Sequence, residues 1–135
     1  TDNMTKVRSV VFDAGNDGAN SHVTQQTLYA DTSSTRITNY VYDPKGNLII
    51  QTNPAAPHVL RKVDNLGRSI AEGLYSSTIG MSVSSDPISV STNRVGLSET
   101  YYDPRGQVYK TIQHKITYST GATADNLVTL QWYDE

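Results

Sequence analysis

The sequence predicts an all-β fold of antiparallel hairpins, and three observations carry that expectation. Residues that suit a pleated, half-buried surface are abundant: Thr contributes 16, Tyr nine, and Ser a further 14. Good helix formers are sparse, and no window of a dozen residues keeps apolar positions at helical spacing between caps. One turn-forming pattern is written three times: aromatic or Val, Asp, two residues, Gly, polar, apolar. It occurs at 40-YVYDPKGNLII-50, 62-KVDNLGRSI-70 and 101-YYDPRGQVYKTI-112. The predicted sheet is open, or a partial shell.

Each element follows from local chemistry. At the start, 9-SVVFDAGNDG-18 supplies an apolar lead-in, Asp13 and a longer glycine-containing turn near 13–18. At 43–46, the Asp43 carboxylate can fold onto backbone amides ahead of it, Pro44 presets φ, and Gly46 accepts the left-handed conformation that follows. This describes a type I turn closed by a glycine bulge. The expected pairs are Asp43 with Asn47, Tyr42 with Leu48, Val41 with Ile49 and Tyr40 with Ile50. The turn at 103–106 repeats the pattern with Asp103, Pro104 and Gly106, setting Tyr102 against Val108 and Tyr101 against Tyr109. The turn at 64–67 keeps Asp64 and Gly67 but lacks the proline. Segment 123–135 alternates at Val128, Leu130 and Trp132 and is read as a strand. The aspartates at 13, 43, 64, 103 and 134 are unevenly spaced, which fits hairpins joined by variable loops such as 52-TNPAAPH-58 and the Ser-rich 76–92.

Composition excludes several function classes. With 135 residues, one domain is expected. The net charge is −2 with Lys and Arg scattered, which leaves no electrostatic footprint for nucleic acid. No apolar run approaches the length of a membrane span, and residues 1–30 lack a signal-peptide pattern, so membrane insertion is not expected. Cysteine is absent, which removes disulfides and thiolate metal sites and leaves the redox compartment open.

Candidate chemistry is thin. The turn aspartates Asp43, Asp64 and Asp103 could act as paired carboxylates, but each already has work in its own turn. The stretch 13-DAGNDGANSHVT-24 places Asp13, Asp17 and Gly18 at calcium-loop positions, yet Gly15 and Thr24 stand where ligands are needed. His22, His58 and His114 lack zinc-ligand spacing and are expected at the surface. No nucleophile elbow or phosphate loop is present. Neither a catalytic residue, a metal nor a cofactor is therefore expected. Tyr rings at 40, 42, 101, 109, 118 and 133 are expected to project from strands. Tyr109 and Tyr118 lie outside the repeated positions, which makes them the candidate platforms for stacking on a sugar ring.

Tyr-x-Tyr-Asp-x-x-Gly-Asn-Leu at 40–48, Val-Asp-x-x-Gly-Arg at 63–68 and Tyr-Tyr-Asp-x-x-Gly-Gln-Val at 101–108 resemble the YD repeats of the RHS (rearrangement hotspot) family. That family includes bacterial RHS proteins, the C components of insecticidal Tc toxins, and animal teneurins. The chain departs from it in its long Ser/Thr-rich spacers and its shortness, and the aspartyl-protease-like end motif of some members is missing. The resemblance implies a single all-β domain over 1–135, or an excised piece of a longer repeat array. It also implies a structural, non-catalytic part in a secreted or cell-surface, toxin-associated scaffold of bacterial type. The implied partners are neighbouring repeats of the same chain, or other copies meeting through sheet edges. Glycans are the alternative ligand that the resemblance permits.

Overall fold

The computed structural model describes residues 7–15, 21–29 and 34–133. Within them, nine strands form one antiparallel sheet in sequence order. They are β1 (Arg8–Phe12), β2 (Val23–Tyr29), β3 (Thr35–Tyr42), β4 (Leu48–Thr52), β5 (His58–Val63), β6 (Ser69–Tyr75), β7 (Arg94–Tyr102), β8 (Val108–Ile116) and β9 (Thr123–Leu130). The sheet is open, with β1 and β9 at its edges. The all-β expectation holds, and 123–130 is a strand as anticipated.

The three repeated turns form as their chemistry dictates. Gly46 donates to the Asp43 carbonyl at 3.0 Å and Asp43 to the Asn47 carbonyl at 2.9 Å; Asp64–Arg68 and Asp103–Gln107 repeat both bonds. Gly46, Gly67 and Gly106 sit at φ +85, +78 and +84°, a region that side chains with a Cβ rarely occupy.

Beyond the turn, the register departs from expectation. Tyr42 pairs with Leu48 and Tyr102 with Val108, as predicted. The next partners are Val41–Ile50, Tyr40–Gln51 and Tyr101–Lys110, in place of Val41–Ile49, Tyr40–Ile50 and Tyr101–Tyr109. One residue of each return strand, Ile49, Ile70 or Tyr109, is left unpaired as a second bulge. The β1–β2 hairpin does the same at Thr24. A bulge of this kind increases local twist and places neighbouring side chains on one side, so Ile49 and Ile50 are both buried, at 4% and 6% exposure.

The core lies over the centre of the sheet. Ile49, Ile50, Leu60 and Tyr75 form its cluster, with Val63, Met81 and Val90 packed against it. The Ser-rich segment is therefore not a simple spacer. Its sparse apolar residues Met81, Pro87 and Val90 fold back as the second layer, and the Tyr75 hydroxyl donates to the Val90 carbonyl at 3.0 Å. Burial pushes the Tyr75 phenol above its usual pKa, so the ring stays neutral there. Removing a fully buried side chain such as Leu60 would cost about 2–5 kcal/mol. Arg94 pins this layer from below: it is 3% exposed, and its guanidinium donates to the carbonyls of Pro87, Ile88 and Gly121.

Candidate functional site

The turns stand in a row at one end of the sheet, and each aspartate is engaged by its own turn. Asp43 Oδ1 accepts from the backbone of Lys45 at 2.9 Å and of Asn47 at 2.8 Å, while Oδ2 accepts from the Asn47 amide at 2.9 Å. Asp64 accepts from the backbone of Leu66 and Arg68 and from Arg68 Nε at 2.7 Å. Asp103 accepts from the backbone of Arg105 and Gln107. Asp13 closes a longer loop in the same way, accepting from the backbone of Ser21 and His22. The Asn47 side chain and backbone hold Asp43 below its usual carboxylate range. Desolvation pulls Asp64 upward, but Arg68 and the turn amides outweigh it and lower its pKa.

Successive turns are joined by a contact that reasoning from the sequence missed. Where a tyrosine precedes the turn aspartate, it reaches back to the first residue of the preceding hairpin's return strand. Tyr42 donates to the Val23 carbonyl at 2.9 Å, Tyr102 to the Ser69 carbonyl at 3.2 Å and Tyr133 to the Val108 carbonyl at 2.8 Å. The residue just after each turn covers the next tyrosine and glycine. The His22 ring stacks on Tyr42 at 4.5 Å, and the Arg68 guanidinium lies 4.3 Å from the Tyr102 ring centre. A Cβ added at Gly46 would stand 2.8 Å from His22 Nε2, and one at Gly67 would stand 2.8 Å from Asn47 Oδ1. The glycine thus serves both the turn and the seating of one hairpin on the next. The signal was in the sequence, as a polar residue following every turn and a Tyr preceding two of them. Val63 takes the tyrosine position in the third unit, which removes that latch.

The histidines are less exposed than expected. His22 and His58 are half-buried, and the His114 side chain is only 9% exposed, with Nε2 2.6 Å from Glu99. Glu99 also accepts from the Tyr101 hydroxyl at 2.7 Å, which pushes the Tyr101 phenol up. Among the described residues, no three His, Asp or Glu side chains gather as a metal site. Asp17 and Gly18 of the calcium-loop pattern lie outside them, as does Asp134.

The two candidate ligand tyrosines part company. Tyr109, 41% exposed, is the bulged residue of its hairpin and lies edge-on to Tyr101 at 6.3 Å. Tyr118 projects from the β8–β9 turn and not from a strand, and is 88% exposed. It borders a cavity of about 430 Å³ whose side chains include Ser76, Thr92, Asn93, Ser119 and Thr120. Tyr133 likewise follows β9 and is not within it.

In comparison with known proteins, the chain matches no family model and no curated protein.

Proposed function

We propose that the protein is a non-catalytic structural module of YD/RHS-repeat type, a run of hairpins that forms part of a larger extracellular or toxin-associated shell or scaffold. The observation that carries this reading is the repeated junction: Tyr42, Tyr102 and Tyr133 each latch one hairpin onto the turn before it. The third latch repeats after β9 the junction made by Tyr42 and Tyr102, which supports reading the hairpins as stacked repeats. Its partners on this reading are neighbouring repeats or other copies at the sheet edges.

The test is to lengthen the chain after Tyr133 with a copy of residues 103–116, supplying a turn and a return strand for β9. Repeat additivity expects one unfolding transition, a higher midpoint and a larger denaturant slope. An added segment that stays unprotected from proteolysis, with an unchanged midpoint, would refute the array.

A second reading, carbohydrate binding, is favoured by one feature: the exposed Tyr118 ring beside neutral hydroxyl and amide side chains, a combination suited to a polyol. Tyr118→Ala would then abolish binding on a glycan array with the melting temperature unchanged. A wild-type chain that binds no glycan removes this reading and leaves the structural one.

A further inference from the structure

We propose that the outer edge of β9 pairs with β9 of a second copy, antiparallel, about a two-fold axis at Val128. The inference goes beyond the hairpin-array reading: it says which edge associates, with what, and in which register.

The backbone fixes which residues of β9 turn outward. Gln131 donates its N–H inward to the Tyr109 carbonyl at 2.9 Å, and the ladder to β8 runs unbroken from Asn126–His114 to Leu130–Lys110. Backbone groups alternate in direction along an antiparallel strand. Residues 127, 129 and 131 therefore face β8, and Asn126, Val128 and Leu130 turn their N–H and C=O outward. Among the described residues, no strand pairs with that outer side. A two-fold at Val128 pairs the three outward residues among themselves: Val128 meets Val128, and Asn126 meets Leu130. Leu127 then lies opposite Thr129 of the second copy.

The side chains favour association at this edge. All eight residues of β9 are exposed. The run 126-NLVTLQW-132 contains no charge, glycine or proline, a composition that pairs readily when an edge is open. The opposite edge is managed differently: β1 has five residues and carries Arg8, and short, charged edges resist pairing. The register also sets Trp132, 88% exposed in one copy, opposite Ala124 of the other, out of water.

Sedimentation velocity of the whole chain over roughly 1–300 µM, with the emission of its single tryptophan, tests this. The expected result is a monomer–dimer equilibrium and a blue shift as dimer forms. Val128→Lys and Val128→Glu each place two like charges opposite one another across the axis, so each should weaken the dimer at least ~10-fold. Mixing the two variants one to one should restore it. Melting temperatures at the lowest concentration check that both variants fold.

A wild-type chain monomeric throughout, or a dimer indifferent to both substitutions, overturns the proposal. So does a mixture no tighter than either variant alone. The lengthened chain described above should be monomeric, because its own return strand occupies the edge. If that strand fails to add while the wild type still dimerises through Val128, the array reading falls and the edge pairing stands.

Discussion

Replacing Arg94 should loosen two distant segments at once. Its Nε donates to the Gly121 carbonyl at 3.0 Å, and its Nη1 donates to the Pro87 carbonyl at 2.7 Å and the Ile88 carbonyl at 3.0 Å. Arg94→Met keeps most of the side-chain volume and removes every donor. Charge-assisted hydrogen bonds contribute about 1.5–3 kcal/mol each, so three would sum to roughly 4.5–9 kcal/mol. Two effects reduce this. Methionine spares the cost of burying a charge, and the bond to Ile88 is only partly buried, so water can replace it. The net loss expected is about 3–5 kcal/mol, a large share of the stability of a small domain. Arg94→Lys, with a single point donor, should recover less than half. Urea unfolding followed by circular dichroism gives the magnitude, and hydrogen exchange gives the place. Protection should fall together in 81–90 and in 117–121. A loss below about 1 kcal/mol, or loosening confined to one of the two segments, would show that Arg94 is not the clamp described.

Three further outcomes follow from the same geometry. Tyr102→Phe removes only the hydroxyl that reaches Ser69 and should cost about 0.5–1.5 kcal/mol in urea; Tyr102→Leu should cost more, because the ring under Arg68 is lost as well. Gly121→Ala would place a Cβ 1.7 Å from the Ser91 carbonyl oxygen, so backbone must move and the melting temperature should drop steeply. Gly80→Ala, equally left-handed but with nothing within 4 Å of the added atom, should cost only about 1–2 kcal/mol. Asp43, Asp64 and Asp86 all have lowered pKa values in the fold. Below its usual value near about 4 each carboxylate is protonated more readily in the unfolded chain. Stability should therefore be level above about pH 5 and fall as the solution is acidified through and below about pH 4; a denaturation midpoint that holds steady down to pH 3 would contradict this.

The parts legible in the sequence are those whose causes are local. Asp43, Pro44 and Gly46 set their turn by their own conformational preferences, and the first pair beyond it, Tyr42 with Leu48, follows directly. The second bulge escaped because nothing about Ile49, Ile70 or Tyr109 differs chemically from an ordinary strand residue. The latch escaped for a similar reason, since Tyr42 donates to Val23 across 19 residues and no spacing rule connects them. The Ser-rich segment looked like a spacer because only three apolar residues in seventeen carry its packing. Arg94 gave no sign, because an isolated arginine in a polar chain reads as solvent-facing until three carbonyls are found around it. Tyr118 was singled out as irregular and read as a strand residue, whereas its exposure comes from the turn that carries it.

The number of strands among the described residues has a topological consequence. Neighbouring strands alternate in direction, so in an array of nine the first and last run the same way. A second molecule set alongside by simple translation would offer β1 to β9 as a parallel pair, the less stable arrangement. An antiparallel contact requires a half-turn between molecules. A half-turn about the sheet normal brings β9 to β9 and leaves the short β1, with its Arg8, at both outer edges. Nine strands therefore favour a half-turn over a translation wherever two copies meet edge to edge.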